Sequence, residues 1–155
     1  LRFYLKYILP KKHLIDEGLY DELFLEDLPE WNTIMGLQFE NLVLNNLSSL
    51  LKILQIPPST MLSAAPYFQR QTKRHKACQI DLLIQCRNSL YVCEIKLAQK
   101  ITTEVIDDMK EKISKLSLPQ GISVRSVLIY QGELTPQIRQ LDYINYLIPF
   151  EQFLN

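Results

Sequence analysis

Two short apolar runs lie close together in the middle of the chain. They are Gln79-Ile80-Asp81-Leu82-Leu83-Ile84 and Leu90-Tyr91-Val92-Cys93-Glu94-Ile95-Lys96. Polar residues bound each run, a pattern that predicts buried β-strands. Cys86-Arg87-Asn88-Ser89 between them predicts a tight turn. Upstream, Asn41, Asn45, Ser48 and Lys52 recur at helical spacing and predict a helix over Leu37–Leu54 with one polar stripe. Pro57-Pro58 ends it. Tyr67–Arg70 is read as a first strand. Glu104–Leu118 is read as a helix whose apolar face is Val105, Ile106, Met109, Ile113 and Leu116. Its acids lead and its lysines follow, as the helix dipole favours. Val124–Tyr130 predicts a fourth strand, Thr135–Leu141 a short helix and Tyr143–Ile148 a last strand. This order predicts an α/β fold with a central mixed sheet of four to five strands flanked by helices. Ahead of it, Leu1–Leu9 predicts an aromatic-rich amphipathic helix ended by Pro10. Lys11–Pro29 predicts a connector with a short helix. Residues 1–30 are therefore expected to form an N-terminal helix and acidic connector, and residues 31–155 the main domain.

The charges inside the apolar runs change the picture. Buried strands rarely carry charge unless it is paired or binds a metal. If Arg87-Asn88 is the hairpin loop, Asp81 lies opposite Glu94, and Lys96 shares their face through the period-two alternation. Facing like charges destabilise a sheet. A divalent cation would remove the repulsion, and carboxylate oxygens suit hard Mg²⁺. Lys96 would then reach a water or phosphate held by that ion. With Asn88-Ser89 as the loop, Asp81 would instead face Lys96. The competing explanation is a structural ion pair of Lys96 with Asp81 or Glu94. Two acids to one base leave a surplus negative charge, which favours a metal.

A third acid adds to that surplus. Glu40 is off the polar stripe of its helix and in line with Leu44, Leu47 and Leu51, on the edge of the apolar face. Taken alone it reads as a boundary residue that reaches water. Taken with Asp81, Glu94 and Lys96 it is a candidate outer ligand holding a metal-bound water.

Gly36-Leu37-Gln38-Phe39-Glu40, then Ile80-Asp81, then Glu94-Ile95-Lys96 resembles the PD-(D/E)XK nuclease superfamily over about Trp31 to Phe153. Helix, three strands, helix, strand is its restriction-endonuclease-like core order. The proline that names the motif is replaced by Ile80, a position that varies in the superfamily. The Gln-x-x-x-Tyr motif of RecB-like members does not follow Lys96, and the form is closer to Holliday-junction-resolvase-like members. The resemblance implies a Mg²⁺- or Mn²⁺-dependent deoxyribonuclease. Asp81 would bridge the metal, with Glu94 and the Ile95 carbonyl as inner ligands. Glu40 would bind directly or through water, and Lys96 would orient the attacking water or stabilise charge on the phosphate. More narrowly, Leu1-Arg2-Phe3-Tyr4-Leu5-Lys6-Tyr7-Ile8, Trp31 and Gly36-x-x-Phe39-Glu40 resemble the C-terminal region of archaeal-type AAA ATPases. There a nuclease-like domain follows an ATPase module and a winged helix. That resemblance implies an ATPase module in the same full-length chain. It also offers an alternative role: a weakly active or inactive module that binds DNA or a partner and regulates the ATPase. Related resolvases are dimers, so a homodimer is an expectation too.

Composition sets limits. The chain has 155 residues, 47% hydrophobic, enough for one domain with its own core. It does not begin with Met and reads as a piece of a longer protein. No apolar run approaches the roughly 20 residues of a membrane span, and no signal peptide is visible. Cys78, Cys86 and Cys93 are odd in number and sit in or beside apolar strands, which implies reduced core residues and a cytoplasmic setting. His13 and His75 are too few and too isolated for a zinc site. Net charge is zero but uneven. Seven acids and no Lys or Arg fall between Asp16 and Glu30. Arg70, Lys73, Arg74 and Lys76 cluster just before the Asp81 strand. That loop is a candidate contact for a phosphate backbone, or a solvated hairpin tip.

Overall fold

A computed structural model of the chain describes residues 4, 8–19, 30–72 and 76–154. It divides into two compact units, residues 1–38 and residues 39–155. In the first unit, a 3₁₀ turn at Leu9–Lys11 runs into helix α1, Lys12–Asp16. Pro10 occupies the first turn of this stretch, where its missing N–H costs nothing. It opens the helical stretch that follows it. Most of the expected Leu1–Leu9 helix and the acidic stretch from Tyr20 to Pro29 lie outside the described residues. Helix α2 covers Trp31–Asn45 and passes from the first unit into the second.

The expected long helix is two helices, because Asn46 interrupts it. α2 ends at Asn45, and α3 runs from Leu47 to Ile53. The Asn46 side chain bonds the Leu42 carbonyl at 2.8 Å, offering the backbone an alternative to helical continuation. The helical face persists across the break. Asn41, Asn45, Ser48 and Lys52 are exposed, while Val43, Leu50, Leu51 and Leu54 are buried.

Five strands follow in one sheet, in the spatial order β1-β2-β3-β4-β5. They are β1 Met61–Gln69, β2 Cys78–Cys86, β3 Ser89–Ile101, β4 Ser123–Leu134 and β5 Tyr146–Pro149. β1-β2-β3 pair antiparallel, and β3-β4-β5 pair parallel. Helix α4, Glu104–Ser114, connects β3 to β4, and α5, Pro136–Gln140, connects β4 to β5. The architecture is therefore an α/β mixed sheet of five strands flanked by helices. β1 begins earlier than Tyr67 because it extends past Pro66 toward the hairpin end of β2. β5 begins later than Tyr143. Residues before it are held irregular by Ser126, whose hydroxyl donates to the Tyr143 carbonyl at 2.7 Å while its N–H donates to Asn145 Oδ1 at 2.8 Å.

The core lies on both sheet faces. On one face, Phe39, Val43, Leu50 and Leu54 pack on Leu82, Ile84, Cys93, Ile95, Val127 and Ile129. On the other, Val105, Ile106, Met109 and Ile138 cover Leu128 and Tyr130, with Ile80, Leu90 and Val92 nearby in a third cluster. Side chains along β4 alternate between these layers, as a doubly covered strand must. All three cysteines are free thiols buried in the core. Burial pushes the Cys93 thiol far above the usual range, so it stays protonated. Among the described residues no helix is long and apolar enough to cross a membrane.

One glycine is fixed by close approach. β3 carries two residues, Ala98 and Gln99, opposite Gly132 of β4, between the pairs Leu97–Gln131 and Lys100–Glu133. Gly132 has φ +127°, and a Cβ there would sit 1.7 Å from the Ala98 carbonyl oxygen. Gly132→Ala is expected to cost at least about 2 kcal/mol, since strained φ and a backbone clash act together. Chemical denaturation checks it; a loss below roughly 0.5 kcal/mol, the range of ordinary surface changes, would show that the strands part freely here.

Candidate functional site

The site begins with an irregularity in β2. Ala65 pairs with Leu83 and Tyr67 with Ile80, so Pro66 alone opposes Asp81 and Leu82. This is a β-bulge on β2. Pro66 suits the position because it has no N–H to leave unpaired. The bulge resets the alternation of β2. Leu82 and Ile80 are two residues apart and both fully buried, yet they join different core clusters.

The β2–β3 hairpin has the register in which Arg87-Asn88 forms the loop. Leu82, Leu83, Ile84 and Gln85 pair with Cys93, Val92, Tyr91 and Leu90. The same register puts Asp81 across from Glu94. Backbone pairing stops at Leu82, and the Asp81 side chain takes over: the Ile95 N–H donates to Asp81 Oδ2 at 2.9 Å. The two strands thus part at the two carboxylates. A cleft of about 560 Å³ opens there, lined by Glu40, Asp81, Glu94, Ile95 and Lys96. All four side chains singled out in the sequence therefore meet at one place.

The fifth member was not foreseen. Glu94 is only 3% exposed, and both its oxygens are held by ammonium groups. Lys96 Nζ lies 3.0 Å from Oε1. Lys112 Nζ, from the last turn of α4, makes a short charge-assisted bond to Oε2. The sequence carried a signal for Lys112. It falls on the same helical stripe as Val105, Met109 and Leu116, a cation in the middle of an apolar face.

Negative charge still predominates. Asp108 and Glu111 also line the cleft, as does Lys115, giving five carboxylates against three ammonium groups. The Asp81 carboxyl is pushed above its ordinary range, first by burial and then by Glu94; the Ile95 hydrogen bond and the two lysines only partly oppose this. Glu40, half-buried, is raised in the same way by burial, Asp81 and Glu94. For Lys96, partial burial favours the neutral amine, but the charge and hydrogen bond of Glu94, with Asp81 and Asp108 behind, outweigh it and raise the pKa.

The basic loop adjoins this cleft. Tyr67 OH donates to Gln69 Oε1 at 2.9 Å, and Gln69 Nε2 donates to the Lys76 carbonyl at 2.7 Å. These bonds close the loop at its base, beside the cleft-lining residues Phe68 and Ala77. Arg70 and Lys76 are exposed there; Lys73 and Arg74 lie outside the described residues. Phe68 is 68% exposed at the cleft margin.

A family model described as "Archaea bacterial proteins of unknown function" (DUF234) matches residues 4–113. The chain belongs to the DUF234 family. No curated protein matches this DUF234 chain. Among solved structures it is similar to the crystal structure of a repair endonuclease from Pyrococcus abyssi, at 17% identity and a TM-score of 0.44. The similarity covers 79% of the DUF234 chain and 47% of the endonuclease, so the chain spans about half that protein's length.

The raised carboxyls have a consequence for stability without a divalent ion. Asp81 and Glu40 bind protons more tightly when folded than when unfolded. The stability they contribute is full below their unfolded pKa, about 4, and is lost as pH rises through the raised folded values. Asp81→Asn removes one charge and keeps an oxygen for the Ile95 N–H. In the presence of a chelator the variant should melt higher than wild type at pH 7, and the gap should close toward pH 4. A variant that melts lower at pH 7 would show that the carboxylates do not strain one another.

Proposed function

We propose that this domain is a metal-dependent phosphodiester hydrolase acting on DNA, within a longer chain that carries an ATPase module. The observation that supports this most is the meeting of Glu40, Asp81, Glu94 and Lys96 in one cleft where two strands part, with a surplus of carboxylates. Excess buried negative charge is costly unless a cation answers it.

The fit to a cation rests on the chemistry of the donors. Carboxylate oxygens and a backbone carbonyl are what Mg²⁺ or Mn²⁺ prefers. Asp81 and Glu94 would hold the ion with the Ile95 carbonyl, and Glu40, which lines the same cleft, would bind it directly or through water. Among the described residues no three Asp, Glu, His or Cys side chains stand close enough to form a ready-made metal site. Both Glu94 oxygens are instead held by lysines. When bound, a divalent ion would lower the pKa of a water and offset charge developing on a phosphate. The chain's own residues do the rest. Lys96, 38% exposed at the cleft, presents a fixed ammonium to the phosphate or the attacking water. The Asp81–Ile95 bond keeps the first carboxylate aimed at the site. Arg70 and Lys76 beside the cleft, with Lys73 and Arg74 of the same loop, would take the phosphate backbone.

One observation favours a second reading, a catalytically weak module that regulates an attached AAA ATPase by binding DNA or a partner. Two lysines already neutralise Glu94, so the most buried acid needs no metal to be stable. Nicking of plasmid and branched DNA with Mg²⁺ or Mn²⁺ separates the two. Metal-dependent cleavage by wild type and loss of at least about a hundredfold in Asp81→Asn are expected. No cleavage of any DNA substrate with either metal would support the second reading. Asp81→Ala should keep a cooperative melt but lose Mn²⁺ binding; unchanged affinity would sink the site assignment.

A further inference from the structure

We infer that Lys112 is the resident counter-cation of the site, and that a divalent ion must displace it from Glu94 in order to bind. This rests on the metal-site reading and adds to it a competitor built into α4.

Three observations carry the inference. Glu94 is almost completely shielded from water, so its charge must be answered inside the protein. Lys96 answers Oε1 from the same strand and sheet face. Lys112 answers Oε2 from a different element, so it holds an oxygen of a carboxylate that the metal-site reading gives to the ion. An ammonium and a dication on one carboxylate oxygen repel by several kcal/mol at effective dielectrics near 20. Only one of them keeps that oxygen.

Lys112 is suited to leave. Its backbone is anchored: the Cys78 thiol donates to its carbonyl at 3.6 Å, and Met109 and Ile113 pack on either side of it in sequence. Its side chain is 23% exposed and borders the cleft, so the ammonium can swing into water on its four-carbon stem. Asp108, one turn earlier on the same helix, is exposed and lines the cleft, at the spacing that lets it receive the ammonium.

The test compares Mn²⁺ binding by the 155-residue chain and its Lys112→Met variant, followed by the loss of free-Mn²⁺ electron paramagnetic resonance signal. Thermal melts are recorded with chelator and with Mn²⁺. Lys112→Met keeps the stem and removes the charge. It should bind Mn²⁺ roughly tenfold or more tightly. In chelator it should melt lower than wild type, and Mn²⁺ should raise its melting temperature more than that of wild type. If Lys112→Met does not fold, Lys112→Gln, which can still donate to Glu94, should show the same gain in affinity. Lys115→Met removes a cleft charge bonded to the exposed Glu111 and should leave affinity within about twofold of wild type. Mn²⁺ binding by wild type with no gain in Lys112→Met overturns the displacement and leaves the metal site standing. An equal gain in Lys115→Met also overturns it, since the effect would then be one of overall charge. No Mn²⁺ binding by wild type or variant overturns both the displacement and the metal site.

Discussion

The cleft of this molecule depends on one hydrogen bond, from the Ile95 N–H to Asp81 Oδ2. It stands where the next rung of the β2–β3 ladder would be. A ladder that continued there would pair the strands throughout and close the cleft. A ladder that stopped without it would leave an N–H unsatisfied in the interior, at about 1–3 kcal/mol. The carboxylate lets the strands part at low cost and fixes its own direction. The bulge opposite Pro66 supplies the extra residue that turns Asp81 into this position.

Once the strands part, charge decides what the cleft can hold. Asp81 and Glu40 repel each other and Glu94, and burial leaves little water to screen them. Lys96 and Lys112 relieve Glu94 directly but Asp81 and Glu40 only at a distance. The lysines therefore stabilise the fold without exhausting the demand for positive charge. A metal and a structural ion network are thus not exclusive alternatives. On the proposed reading the same carboxylates would serve both, with Lys112 at the boundary between the two states.

Much of this was legible in the sequence, for physical reasons. A two-residue hairpin loop left two registers open, with Asp81 facing Glu94 or Lys96, and the pairing of Leu82 with Cys93 selects the first. Glu40 was found because helical periodicity carries across the Asn46 break. The break itself was not, since a single Asn within an otherwise periodic stretch leaves the helical pattern on both sides intact. Bulges were not legible either. Pro66 falls just before the strand read from the sequence, and only its partner strand shows that two residues oppose it. Lys112 was missed because the apolar face of α4 was read for its Val, Ile, Met and Leu positions, with the lysines assigned to the helix dipole. The cation on the apolar stripe was the exception that pointed to a buried acid elsewhere.

These local violations have a common location. A proline inside a strand, acids in apolar strands, a Glu on an apolar helix edge and a Lys on another all lie around the β2–β3 fork. Elsewhere, over Val124–Tyr130 of β4 and the paired rungs of the β2–β3 hairpin, the pairing is regular and the core is apolar. Replacing a buried ion network by well-packed apolar side chains is often neutral or stabilising. Stability alone therefore does not explain why five charged groups from four elements are held in the one place where the sheet opens. Sequences that break local rules together, at one site, do so where chemistry or binding requires it. The surplus carboxylates give that requirement a sign: on the proposed reading, what the cleft takes up brings positive charge to Asp81 and Glu40.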